Sequence, residues 1–344
     1  MIIGINLILI HQIKKRNIMQ LKLFSLLFFS NIILTACAGG GMAEPKVPVS
    51  IPTLPDLKNF KAVTNGPKGN LKDLATIHTN PGSNLSFGSY TGTYLNWLGE
   101  PDNKTDYVYQ APSGKTYEIS SYNSPIIASI SLTRPFPTSQ EGQPLEGGGR
   151  LLICCHDTGK DRSFPATNHD YLRFGAWIGA NGESDLFVGG FPVGKAGIFP
   201  DTSKPKGKAT YEVWAIRIKN GKFVTSSYSP EYQNTKPLFS QLTANFNTNK
   251  LGGSIIGNTD YGADVIMKDV DINGIDFKGT AESNGTVGKV EGKFFGKFDS
   301  TWEDDLSIGG KVTFNSDKSL DTVFAGQRRR VDENTQSQDL EPLK

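Results

Sequence analysis

Three cysteines and four histidines carry the nucleophilic and imidazole chemistry of this 344-residue chain. Their positions sort them at once. Cys37 follows Leu34-Thr35-Ala36, at the exit of an apolar run from Leu23 to Leu34, and precedes Gly39-Gly40-Gly41. A dozen apolar residues fall short of the roughly 20 that a helix needs to cross a bilayer. A positive flank, a short apolar stretch and small residues at the exit describe a secretory signal. A cysteine just past the cut makes it a lipobox, whose thiol is acylated and becomes the mature N-terminus. Residues 1–36 are therefore expected to be a signal, starting either at Met1 or at Met19.

The other cysteines stand side by side in Cys154-Cys155-His156-Asp157. These are ligand types, but adjacent cysteines suit tetrahedral zinc poorly, because finger-like sites space them by two to four residues. No metal is expected. With Cys37 acylated, Cys154 and Cys155 have only each other, and exported proteins rarely keep free thiols. A vicinal disulfide is expected, with a reduced pair as the alternative. His78, His156 and His169 remain after processing, and no apolar cluster surrounds any of them as a haem slot requires. No nucleophile elbow, phosphate-cradling loop, zinc-protease helix or ordered Ser/His/Asp series is present. Binding is expected, and catalysis is not.

Charge excludes a second class. The chain has 36 basic and 34 acidic residues, and the signal removes Lys14, Lys15, Arg16 and Lys22. The mature chain is then close to neutral, with no basic stripe for phosphates, so nucleic acid is not an expected partner. Arg328-Arg329-Arg330 is the one dense cluster. Beside Asp332 and Glu333 it reads as the start of a solvated polar tail, 329–344.

The elements that must present these residues are strands. Thirty-eight glycines, 10% aromatics and many Thr, Ser and Asn suit short strands and frequent turns. Residues 37–59 join three glycines to Pro45, Pro48, Pro52 and Pro55 and form a flexible-then-extended tether. Residues 60–207 read as an N-terminal, handle-like β domain with long loops. Its hairpins are "KTDYVYQ-APSG-KTYEISSY" and "YLRFGAWIG-ANGE-SDLFVGGFPV", the second turning on positive-φ residues Asn181 and Gly182. Residues 208–328 alternate more strictly. In "KVEGKFFGKF", Val290, Gly292, Phe294, Gly296 and Phe298 share one face and charges occupy the other, which is a half-buried antiparallel strand. Glycine alternating with Phe on the inner face suits a small closed barrel of about eight strands. The fold expected is all-β.

The ordered series "ATYEVWAIRI", "LTANFNTNKLGGSI", "INGIDFKGTA", "VGKVEGKFFGKF", "LSIGGKV" and "TVFAGQRR" resembles the C-terminal barrel of Slam-dependent surface lipoproteins, the group of transferrin-binding protein B. The series occurs once, so a two-lobe molecule is not expected. The stretch "YLRFGAWIG…DLFVGGFPV…GKATYEVWAIR" is most similar to the single-lobe haemoglobin–haptoglobin utilisation type, HpuA. That resemblance implies capture of host haemoglobin or haemoglobin–haptoglobin at the outer-membrane surface. Haem would stay with the partner and pass to a TonB-dependent receptor, and export would use a Slam-type translocon. A complement regulator, a transferrin-like protein or haem held directly are the alternatives. Hot spots favour aromatics and Arg. Loop aromatics outside the strand patterns are Phe136, Phe164, Phe199 and Tyr261, with Arg134 and Arg162 as polar neighbours; these are the candidate contacts.

Overall fold

A computed structural model of the chain describes residues 71–95, 101–119, 139–140, 142–145, 147–154, 172–191, 206–226, 240–296 and 306–343. The expected signal, the tether and Cys37 lie outside the described residues. All described residues belong to one compact unit, Leu54–Lys344.

The chain begins with β1 (Leu71–Asp73), β2 (Ala75–His78), β3 (Asn84–Leu95), β4 (Pro101–Gln110) and β5 (Thr116–Glu118). It continues with β6 (Ser139–Gln140), β7 (Gln143–Pro144), β8 (Gly149–Cys154), β9 (Leu172–Gly179) and β10 (Ser184–Gly190). Next come β11 (Lys208–Lys219), β12 (Lys222–Thr225), β13 (Ser240–Asn245), β14 (Lys250–Ile255) and β15 (Val265–Asn273). β16 (Asp276–Ser283), β17 (Thr286–Phe295), β18 (Ser307–Thr313) and β19 (Thr322–Asp332) complete it. One 3-10 turn, Lys318–Leu320, is the only helical piece among the described residues.

These strands make a small sheet β1-β3-β4-β5, a second sheet β2-β10-β9-β8-β7, and a closed barrel β13-β14-β15-β16-β17-β18-β19-β11. β11 closes the barrel by pairing Lys208–Val213 with β13. On the same edge its far half, Ile216–Lys219, pairs with β12, which in turn holds β6, while Ile216 and Arg217 stay paired with β19 on the other edge. The expected eight-strand barrel and all-β class are what the chain forms.

Three apolar layers hold the sheets together. Inside the barrel Tyr211, Leu242, Met267, Phe277, Val290, Phe294 and Phe324 pack on one another. Between the barrel wall and the second sheet lie Phe174, Leu186, Val188, Trp214 and Phe295. Between the two sheets lie Leu85, Tyr107, Tyr109, Leu151 and Phe187. Each buried Phe or Leu contributes roughly 1.5–3 kcal/mol. β9 is buried at every position because its two faces serve two different layers. Adjacent Phe294 and Phe295 divide in the same way, one inward and one outward.

On the outer face of β14–β18 the alternation is clean. Lys250, Asp271, Lys278, Glu291 and Lys311 pair across five neighbouring strands as a row of alternating charge. Lys250–Asp271 closes to 2.8 Å and Lys311–Glu291 to 3.0 Å. Charges outside and apolar residues inside are the reverse of a membrane-spanning barrel, which turns an apolar band outward. Among the described residues no helix is long and apolar enough to cross a membrane.

Two expectations need correction. In the β9–β10 turn Gly182 has φ 83° but Asn181 is not in the left-handed region. Gly182 N donates to Gly179 O and Gly179 N to Glu183 O, so the turn is a type I turn followed by a left-handed Gly. The paired left-handed Asn-Gly occurs instead at Asn220-Gly221 and Asn284-Gly285. Second, Arg328-Arg329-Arg330 is not a solvated tail. β19 runs on to Asp332, which pairs with Lys208 at the start of β11, and Arg329 Nε donates to Glu212 Oε2 at 2.9 Å across that pair.

Candidate binding face

The strands that launch the long loops end together. β8 stops at Cys154 opposite Phe174, and β10 stops at Gly190 opposite Leu172, the first residue of β9. Phe191, one residue on, meets Phe87 at 5.0 Å between ring centroids and Tyr107 at 6.3 Å. Phe187, four residues back, stacks on Tyr109 at 4.1 Å. The first sheet therefore runs from Tyr109 through Tyr107 toward Pro101 in the direction that β10 runs toward Phe191. On the barrel side, Gly296 N, just past β17, donates to Phe191 O at 3.1 Å. Phe191 is thus the hub at which ends of the two sheets and of the barrel meet.

The segments 96–100, 120–138, 155–171, 192–205 and 297–305 leave from strands that point to this hub. Phe136, Arg134, Arg162, Phe164 and Phe199 sit in three of those segments and lie outside the described residues, as do Cys155, His156 and His169. The disulfide expected between Cys154 and Cys155 therefore falls outside them too.

Beneath the hub the residues are fixed. Arg173 stands over the ring of Tyr107 at 4.4 Å, and its Nη1 donates to Leu172 O at 2.8 Å. A cation over an aromatic face is attractive, more so when water is excluded. At the other end of the two sheets, Asp185 accepts from Thr79 N (3.0 Å), Asn80 N (2.9 Å) and Tyr109 Oη (2.9 Å). Burial pushes its carboxyl above the usual range, while hydrogen bonds from Ser83, Asn80 and Tyr109 work against that shift. Burial likewise pushes the Tyr109 hydroxyl well up, helped by the neighbouring Asp185 charge. This network staples the β2–β3 turn to β10 and orients both sheets toward the hub.

Tyr261 departs from its expected role as a loop contact. It is fully buried, its hydroxyl 3.2 Å from Thr322 Oγ1, with the Arg217 guanidinium over its ring. The ring plugs the end of the barrel opposite the hub strands, because the β14–β15 connection folds inward over the opening. Such a plug has no period-two signature, so strand patterns left Tyr261 unclaimed.

His78 borders a groove of about 450 Å³ between β2 and the barrel wall. Asp276, Lys278, Glu291, Lys293 and Lys311 line it, Lys311 Nζ donates to His78 O, and the His78 Nδ1 faces Asn80 O. Lys293 pairs with Asp276. Charged side chains share the lining with Ile77 and Phe277, and no cluster of metal-binding side chains occurs among the described residues.

The family model for "HpuA: Haemoglobin-haptoglobin utilisation, porphyrin transporter" matches residues 105–343. The chain belongs to the HpuA family. A crystal structure of the haemoglobin receptor HpuA from Kingella denitrificans, without ligand, is 34% identical. It matches with a TM-score of 0.66 over 83% of this chain and 94% of that one. HpuA from Kingella denitrificans in complex with human haemoglobin is 33% identical. It covers 83% of this chain and 95% of that one at a TM-score of 0.64. No curated protein matches the chain. The matched residues 105–343 run from within β4 through the barrel and include Tyr107, Phe191 and Gly296, whereas β1, β2 and β3 with Phe87 precede them.

Proposed function

We propose that this chain is a lipid-anchored surface protein that captures host haemoglobin, or haemoglobin–haptoglobin, as a source of haem iron. The observation that carries the reading is the convergence at Phe191 of strands that launch five connections, four of them of nine residues or more, in a chain of the HpuA family. The relative crystallised with human haemoglobin supports the choice of partner. A standard protein interface needs about 800 Å² per side, or roughly 20–30 residues, and several loops at one end supply that. Arg134, Phe136, Arg162, Phe164 and Phe199 are the proposed contacts. The chain is proposed to hold no haem itself and to perform no chemistry. It would hand its haem-bearing partner to a TonB-dependent outer-membrane receptor after export by a Slam-type translocon. Cys37 would supply the anchor and residues 37–59 the reach.

Titration of the mature protein with haemoglobin, haemoglobin–haptoglobin and free haem tests this, with the Soret band and association followed separately. Binding of either haemoglobin form without a Soret shift from free haem is expected. Alanine at the five proposed contacts should weaken association at least about tenfold. Ile266→Asp and Val287→Asp, exposed residues at the Tyr261 end of the barrel, should leave it unchanged. Loss of binding from the second pair but not the first would place the interface at the wrong end. Haem uptake abolished by one His→Ala change would make the chain a haem carrier instead.

A further inference from the structure

The barrel has a second covered wall, and what covers it is not a sheet. Ala209, Tyr211, Leu242, Ala244 and Leu251 point into the barrel, so the residues alternating with them point out. Those outward residues are Lys208, Thr210, Thr243, Asn245 and Gly252, and they are neighbours in register. Polar residues at outward positions are ordinarily wet, yet the relative exposure of Lys208 is 4%, Thr210 and Thr243 1% and Asn245 0%. The cover is the segment Glu333–Leu343, laid across β11, β13 and β14.

Its contacts have the pattern of a bound extended peptide. Asn247 Nδ2 donates to Thr335 O (2.8 Å) and Ser337 O (3.3 Å). Asn245 Nδ2 donates to Ser337 O (3.0 Å) and Asp339 O (2.8 Å). Carbonyls 335, 337 and 339 are every second residue, the repeat of an extended chain. Both amides are oriented beforehand. Asn247 Oδ1 accepts from Gly207 N, and Asn245 Oδ1 accepts from Asn247 N and Thr248 N. Each side chain therefore turns its donors outward. Lys208 Nζ pairs with Asp339 Oδ1, and Leu343 N donates to Thr210 Oγ1 at 2.9 Å. Leu340 rests on bare Gly252, where a Cβ would stand 2.8 Å from its Cδ1. Every one of these hydrogen bonds uses a barrel side chain, none a strand ladder. Thr243 Oγ1, buried in the same wall, has no hydrogen-bond partner among the described residues.

We propose that the outer wall of β11, β13 and β14 is a groove for an extended acidic peptide, and that Thr335–Leu343 is its ligand in cis. The segment is a releasable strap and not a structural strand. Asn245 and Asn247 read the backbone at alternate residues, Lys208 selects a carboxylate and Gly252 makes room for one branched apolar side chain.

The test uses the full mature chain with a specific protease sequence placed between Glu333 and Asn334, cleaved in the folded state. The freed strap is expected to stay bound through gel filtration and to exchange with a labelled synthetic peptide of residues 334–344. Binding of that peptide should saturate at one per chain. Asn245→Ala with Asn247→Ala should lower peptide affinity at least about tenfold, the loss of several side-chain hydrogen bonds. Because Asn245 also ties its own turn, Leu340→Asp in the synthetic peptide is the second measure, and it too should bind at least about tenfold more weakly. A strap that neither stays bound nor rebinds overturns the proposal. So does one that leaves only when the barrel unfolds, or a peptide indifferent to both changes.

Discussion

The Arg217 guanidinium lies 3.9 Å from the centroid of the Tyr261 ring, with both side chains fully buried at one end of the barrel. Its nitrogens donate to Thr322 Oγ1, Tyr261 O, Ala263 O and Ser283 Oγ, joining β11, β16, β19 and the β14–β15 connection. No carboxylate is among these hydrogen-bond partners. Burial therefore lowers the guanidinium's pKa, and the ring and more distant acidic groups offset only part of that.

Arg217→Ala should cost about 3–5 kcal/mol, since several buried acceptors lose their donor. Arg217→Lys should recover only part of the loss, because an ammonium cannot fork to four oxygens. Urea midpoints of the three proteins check this. A cost below about 1 kcal/mol for the alanine variant would mean water replaces the guanidinium.

Gly292→Ala tests how tightly the barrel is filled. A Cβ there would stand 2.0 Å from Phe277 Cζ and 2.6 Å from Gly309 O, so the ring must move. Overpacking of this kind costs about 1–3 kcal/mol. Gly285→Ala in the β16–β17 turn has open space around it. Its cost should come from φ of 70° alone and stay near 1 kcal/mol. Equal losses at both sites would contradict the packing argument.

Asp185 has a folded-state pKa above its ordinary value, chiefly through burial. The native state then binds a proton more readily than the unfolded chain. Its contribution is fully present below the unfolded carboxylate value, about 4, and is lost as pH rises through the folded value. Asp185→Asn keeps an acceptor for Thr79 and Asn80 but cannot titrate. The stability of the wild-type chain relative to this variant should fall as pH rises above about 4. A constant difference between pH 4 and 7 would show that the carboxyl does not carry that slope.

Cys37→Ala should move the protein from the membrane fraction to the soluble one and remove it from protease reach on whole cells. A variant that remains membrane-bound and surface-exposed would leave the anchor elsewhere in the chain.

Intact mass under non-reducing conditions, after alkylation, decides the state of Cys154 and Cys155. The expected chain takes up no label until reduced. Two labelled thiols without reductant would establish the reduced pair.

Strand patterns identified the barrel because β16 and β17 keep period two against one apolar interior and one wet wall. β15 escaped the same reading. Its inward residues are Val265, Met267, Val270 and Ile272, and a bulge at Asp269, with φ of 53°, shifts the phase midway. β9 gave no alternation at all because both of its faces are covered. The hairpin from β9 to β10 was nevertheless legible, since turn residues act locally.

What the sequence by itself determined is what depends on near neighbours: the places where hairpins turn, and the alternation that makes strands close into a barrel; the lipobox expected at Cys37 and the tether expected over 37–59 are local patterns of the same kind. Which residues converge was decided only by the tertiary structure. Tyr261 looked like a surface aromatic and became a plug, because Arg217, 44 positions earlier, needed its carbonyl. Arg328–Arg330 and the polar residues after them looked solvated and became a strand and a strap. Phe191 acquired its place as a hub from Phe87, Tyr107 and Gly296, which only folding brings near. Alternation reports that a face is covered or wet, but long-range contacts decide which element does the covering.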